Sequence, residues 1–164
     1  MLTSPDGKYD GNWKDGIKNG YGVEFWTETG DKYEGNYDRG ARHGQGKLTY
    51  KDGSVYTGNF DNNSLKGKGK MQYKKGNIYD GGWDDNERSG EGTLTTYDGK
   101  TYIGKFSKNK KNGYGRYIYS DKSEYKGNFV DNVEHGTGIY VDTEKNEIQV
   151  TANMGELTLL DASN

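Results

Sequence analysis

Tyr9, Tyr33, Tyr56, Tyr79, Tyr102 and Tyr125 follow one another at spacings of 24, 23, 23, 23 and 23 residues. Two residues after each stands a glycine (Gly11, Gly35, Gly58, Gly81, Gly104, Gly127). Four after stands an aromatic (Trp13, Tyr37, Phe60, Trp83, Phe106, Phe129). Eleven and thirteen after stand two more glycines, as in Gly20 and Gly22 or Gly90 and Gly92. A short unit repeated at a fixed period cannot bury its own apolar face, so the chain must build its core by stacking copies side by side. Positions below are counted from the leading Tyr of each copy.

The leading Tyr, the Gly at +2 and the aromatic at +4 share the period of two that places side chains on one face of a strand. The second half of each copy keeps that period, with Gly at +11 and +13 and then Glu24, Leu48, Met71, Leu94, Tyr117 or Tyr140 at +15. At +17 come Trp26, Tyr50, Tyr73, Thr96 and Tyr119. Each copy therefore reads as a β-hairpin with aromatics and glycines on the same face. Position +7 is Gly16, Gly40, Asn63, Asn86, Asn109 or Asn132, the two residue types that accept positive φ most readily. Asp52-Gly53, Lys75-Gly76 and Asp98-Gly99 mark the turns between copies. Asp121-Lys122 fills the same place without glycine and is expected to be the most strained.

The glycines, Gly90 and Gly92 alike, are expected to leave bare backbone over which rings lie, burying aromatic area without a second sheet. The predicted fold class is all-β: an elongated, single-layer, twisted antiparallel sheet of tandem hairpins, curled with its aromatic face concave. Residues 9–142 form six repeats. Residues 1–8 resemble the tail of a preceding half-repeat, and 143–164 are expected to form a degenerate capping hairpin and tail that closes the sheet edge.

Composition narrows the function. With 23 basic against 25 acidic residues the net charge is -2, which lacks the basic excess of a phosphate-backbone binder, so no nucleic-acid partner is expected. Cysteine is absent, which removes disulfides and thiolate metal sites. His43 and His135 both sit at +10, isolated from any carboxylate cluster, and predict no metal site. Gly-x-Gly recurs within strands and not before a helix, so it is no dinucleotide fingerprint. Carboxylates lie mostly on turns and the solvated face, away from the dry pockets that acid–base catalysis uses. The expectation is a non-enzymatic, cytoplasmic protein with no cofactor.

Tyr-x-Gly-x-aromatic followed by Gly-x-Gly after six further residues, at a 23-residue period, resembles the MORN repeat. "YDGNWKDGIKNGYG" and "YEGNYDRGARHGQG" match it almost position for position. Such repeats occur in junctophilins, radial-spoke head proteins, apicomplexan cytoskeletal scaffolds, plant phosphatidylinositol-phosphate kinases and a histone methyltransferase. The resemblance implies a binding or scaffolding role, with a cytoskeletal or ciliary setting.

The aromatic face is the expected contact surface. A partner helix or extended segment would lie in its groove against Tyr33, Tyr37, Tyr50, Tyr56, Phe60, Tyr73, Tyr79, Trp83, Tyr102 and Phe106, with the +4 rings packing and the +0 and +17 tyrosines touching the partner. The alternative is a peripheral phosphoinositide or anionic-membrane module, using the local clusters Lys66, Lys68, Lys70 and Lys105, Lys108, Lys110, Lys111. A third reading is the detached regulatory array of a larger enzyme such as a phosphatidylinositol-phosphate kinase. The opposite face turns apolar late in the array (Ile103, Tyr114, Ile118, Ile139, Val141), which suggests an end-to-end homodimer.

Overall fold

The computed structural model describes residues 2–4 and 7–160. Met1, Pro5 and Asp6 of the expected leading half-repeat, and residues 161–164 of the expected tail, lie outside the described residues. Among the described residues every regular element is a β-strand, and the chain divides into two compact units, Met1–Glu87 and Arg88–Asn164.

The first unit holds β1 (Leu2–Ser4), β2 (Gly7–Lys14), β3 (Ile17–Trp26), β4 (Lys32–Asp38), β5 (Ala41–Thr49), β6 (Val55–Asp61), β7 (Ser64–Gln72) and β8 (Ile78–Asp84). The second holds β9 (Glu87–Thr95), whose first residue closes the preceding unit, β10 (Thr101–Ser107), β11 (Lys110–Ile118), β12 (Glu124–Val130), β13 (Val133–Val141), β14 (Glu147–Asn153) and β15 (Glu156–Leu159). Within each unit every strand pairs antiparallel with the one before it, so each is a single-layer meander of hairpins.

Register explains the +2 and +13 glycines. Gly22 pairs Gly35, Gly35 pairs Gly46, Gly46 pairs Gly58 and Gly58 pairs Gly69. A row of bare backbone thus runs across the strands. Each leading Tyr lies over it: a Cβ on Gly46 would stand 2.6 Å from Tyr33 Cζ, and one on Gly115 would stand 2.6 Å from Tyr102 Cζ. The +11 glycines do not share this role. Gly90, expected to lie beneath a ring, has open space where its Cβ would be and a φ of +71°. Gly44 (φ +68°) and Gly136 (φ +74°) have the same conformation. Here glycine supplies a left-handed backbone, and it lies across from the register shift in the paired strand, as between Gly35 and Tyr37.

The ring hydroxyls complete that bulge. Tyr33 Oη donates to the Asn36 carbonyl at 2.9 Å, Tyr56 to Asn59 at 2.9 Å and Tyr102 to Lys105 at 3.0 Å. Tyr125 Oη is buried without a partner. Leading rings and +4 rings then alternate edge to face: Tyr33 meets Tyr37 at 5.2 Å and Phe60 at 5.0 Å, and Tyr56 meets Phe60 at 5.2 Å and Trp83 at 5.4 Å. The geometry matches the quadrupole preference of aromatic pairs.

Both central residues of each hairpin turn have positive φ, as in Asn62 (47°) and Asn63 (72°), the signature of a type I′ turn. The turn asparagine has a second task. Asn63 Oδ1 accepts from the Arg42 amide at 2.9 Å, and the Asn63 amide donates back to the Arg42 carbonyl at 3.1 Å. Asn86 does the same with Leu65, Asn109 with Arg88 and Asn132 with Lys111. Lys122, in the connecting turn without glycine, is held at φ 75°, a conformation that strains a residue with a Cβ.

Candidate aromatic interface

The register buries most of the rings expected to meet a partner. Tyr33, Tyr56 and Tyr79 are 0% exposed, and Tyr37, Phe60, Trp83, Tyr102 and Phe106 are buried as well. Trp83 Nε1 donates to the Gly69 carbonyl at 3.0 Å. These side chains form the core that a single-layer sheet otherwise lacks. Their hydroxyls titrate late because burial disfavours the phenolate: Tyr33 and Tyr102 are each pushed up to about 12. Tyr37 is raised further, first by burial and then by Glu24, whose Oε2 accepts its hydroxyl at 2.8 Å. The leading tyrosines therefore offer a partner no surface.

Tyr50 and Tyr73, at +17, remain half-exposed on the ring side. They flank an open concavity of about 380 Å³ with Met71 at its floor and Asp31, Lys51, Asp52 and Ser54 on its polar side. The connecting turn shapes it. Ser54 donates to Asp52 through its amide (2.7 Å) and its hydroxyl (3.1 Å), and its Oγ accepts the Lys74 amide at 3.1 Å. Those bonds, the amide first, hold the Asp52 carboxyl below the ordinary carboxylate range, so the exposed rim carries a charge at neutral pH.

A further set of side chains was legible in the sequence as a column but was not read there. Position +9 is Lys18, Arg42, Leu65, Arg88, Lys111 and Glu134, cationic in four copies. Arg42 lies 5.5 Å from the Trp26 ring, 5.8 Å from Tyr33 and 5.5 Å from Phe60. Lys111 Nζ lies 4.3 Å from Tyr117, 5.1 Å from Phe129 and 5.4 Å from Tyr102. Burial pulls the Lys111 amine below its usual pKa. These cations cap the ring faces and contribute cation–π attraction there.

The MORN repeat model matches residues 9–28, 33–55, 56–78, 79–101, 102–124 and 125–145. The chain belongs to the MORN repeat family. Among solved structures it is similar to the SAS-4 (dCPAP) TCP domain of Drosophila melanogaster, determined in complex with a proline-rich motif of Ana2 (dSTIL), at a TM-score of 0.52 and 15% identity over 98% of this chain and 92% of that one. The wild-type TCP10 domain of Danio rerio CPAP is similar at a TM-score of 0.50 and 14% identity, over 85% of this chain. This chain spans 66% of the zebrafish domain. At such identity the likeness is one of fold. No curated protein matches by sequence.

The MORN register distributes the two lysine clusters. Lys68 and Lys70 alternate with Gly69 and Met71 and so face away from the rings; Lys105, between Gly104 and Phe106, does the same. Lys66 Nζ stands 3.7 Å from Asp84 and Lys110 Nζ 3.1 Å from Asp131. Lys108 is at a turn with φ 47°, and Lys111 is tucked among rings on the opposite face. His43 Nδ1 is 3.4 Å from Asp61 Oδ1, and among the described residues no group of three or more His, Asp or Glu side chains converges on a metal-sized site.

Proposed function

We propose that this MORN array is a non-catalytic protein-interaction scaffold that seats an extended, proline-containing segment against Tyr50 and Tyr73. The observation that carries the reading is the concavity of about 380 Å³ flanked by two half-exposed tyrosines on a face whose other rings are largely sealed. Tyrosine-lined grooves suit polyproline segments, which come already extended and lose little entropy on docking. Tyrosine also recurs where a few residues dominate binding energy. The complex of the similarly folded SAS-4 TCP domain with a proline-rich motif supports the same choice of ligand. The Asp31 and Asp52 carboxylates at the rim complement a basic residue beside the prolines. We place the scaffold in a cytoskeletal or ciliary setting on the strength of the family.

A fluorescein-labelled peptide of four Pro-Pro-Arg triplets tests this, with a Gly-Gly-Arg peptide of equal charge as control. The proline peptide should bind and the glycine peptide should not. Tyr73→Ala should weaken binding by about tenfold, roughly 1.4 kcal/mol, with the far-ultraviolet dichroism unchanged. Equal binding of both peptides, or indifference to Tyr73→Ala, overturns the proposal.

A further inference from the structure

Only some connecting turns can build the site just described. Five turns link one repeat to the next and a sixth follows the last repeat, and they differ at three places: the +17 residue, the acid that opens the turn and the residue two before the next leading position. After Tyr50 these are Tyr50, Asp52 and Ser54; after Tyr119 they are Tyr119, Asp121 and Ser123. No other turn has all three. Lys75 stands where the acid should be in the turn after Tyr73. Thr96 replaces the ring in the following one, and Asp98 there is paired with Lys100 at 2.7 Å. After the sixth repeat the +17 position is Asp142, and the turn after Trp26 has no serine.

The two matching turns have the same internal structure. Ser123 is 2% exposed and Ser54 7%. The Ser123 amide and hydroxyl donate to Asp121 Oδ1 at 2.9 Å and 2.7 Å, as Ser54 does to Asp52. The hydroxyl first, then the amide, holds the Asp121 carboxyl below its ordinary range. Each turn opens onto a concavity of like size. That of the second unit is about 370 Å³, with Tyr119 and Tyr140 facing each other at 6.4 Å and Leu157 supplying the far wall. Tyr140 occupies the +15 position that Met71 holds in the first unit.

Resting on the reading above, we infer that the second unit carries a second, independent site for an extended proline segment, formed by Tyr119, Tyr140 and the rim carboxylate of Asp121. The rings receive the proline and the carboxylate receives a neighbouring arginine. One chain therefore holds two short segments, and a partner with several proline motifs would be gripped at more than one of them, gaining avidity without any new contact.

Isothermal titration with the same Pro-Pro-Arg peptide counts the sites. Wild type should bind two peptides per chain, Tyr50→Ala one, Tyr119→Ala one and the double variant none. Asp121→Asn keeps an oxygen for the Ser123 bonds and removes the charge, so it should weaken one of the two sites by about two- to fivefold, the range of an exposed ion pair. That variant decides the matter if Tyr119→Ala melts early: affinities unchanged in Asp121→Asn overturn the inference. A wild type that binds a single peptide, lost in Tyr50→Ala and kept in Tyr119→Ala, overturns the second site while leaving the first intact. No binding by wild type overturns both, and two peptides retained by Tyr119→Ala overturn the placement.

Discussion

The leading tyrosine is the residue on which each repeat depends. The Tyr33 ring covers two glycines, its hydroxyl satisfies a carbonyl at the bulge and its edges meet two +4 rings, and among the described residues Tyr125 alone of the leading tyrosines leaves its hydroxyl without that bond. The two classes of glycine follow from that. At +13 glycine is required by contact: a methyl on Gly46 would stand 2.6 Å from Tyr33 Cζ with no room to move, so Gly46→Ala should cost about 3 kcal/mol, at the upper end of ordinary overpacking. At +11 glycine is required by conformation: Gly90→Ala meets open space but a φ of +71°, and should cost about 1 kcal/mol. Urea denaturation of both variants checks the difference, which vanishes if both glycines serve the same purpose.

At the scale of the hairpin, consecutive copies are joined by more than the strand ladder. The asparagine clasp ties four of the turns to the +9 backbone of the previous copy, as between Asn63 and Arg42, where the Arg42 guanidinium adds a third bond to the Asn63 carbonyl at 2.9 Å. Gly40, at the same place, keeps only the backbone half, donating to Lys18 at 2.9 Å. Asn63→Gly therefore separates conformation from bonding. Glycine accepts the φ of 72° but leaves the Arg42 amide without its acceptor, and the loss should be about 1–2 kcal/mol. A melt unchanged by the substitution would show that asparagine serves the turn by its conformation alone.

At the scale of the whole molecule, stability should fall off at both ends of the pH range. Asp52, Asp98, Asp121 and Asp142 sit in turns where hydrogen bonds from Ser54, Lys100, Ser123 and Asn146 lower their pKa values, and Glu124 is lowered by Arg116, whose Nε and Nη2 donate to it at 2.8 and 2.7 Å. A lowered acid stabilises the fold fully above its unfolded value, about 4, and that contribution is lost as pH falls through the lower folded value. Tyr33 and Tyr102 run the other way. Their contribution is complete below the unfolded value of about 10 and is lost as pH rises toward their folded values of about 12. The urea midpoint should thus be level between about pH 5 and 9 and fall on either side, and the buried rings, unlike the exposed Tyr21, Tyr97 and Tyr114, should ionise together with unfolding on the alkaline side. Tyrosinate absorbance that reaches its full unfolded value while the protein is still folded would contradict the burial of the rings.

Periodicity by itself determined the class of fold, the six repeats, the hairpin turns and the face on which the rings lie, because a period of two within a period of 23 has few physical solutions. Which rings stay open depended on three dimensions. Tyr33 and Tyr50 are the same residue type on the same face, yet one is sealed between glycines and neighbouring rings and the other flanks a concavity. The difference arises from cross-strand register: the leading Tyr33 ring lies over Gly35 and Gly46, which pair across adjacent strands, whereas the +17 tyrosine stands where the strand enters its connecting turn. The asparagine clasp and the ring contacts of the +9 cations depended on three dimensions for the same reason. Asn63 reaches back to Arg42, and Arg42 reaches forward to the Phe60 ring, across about twenty positions, and only pairing of successive hairpins brings such residues within reach.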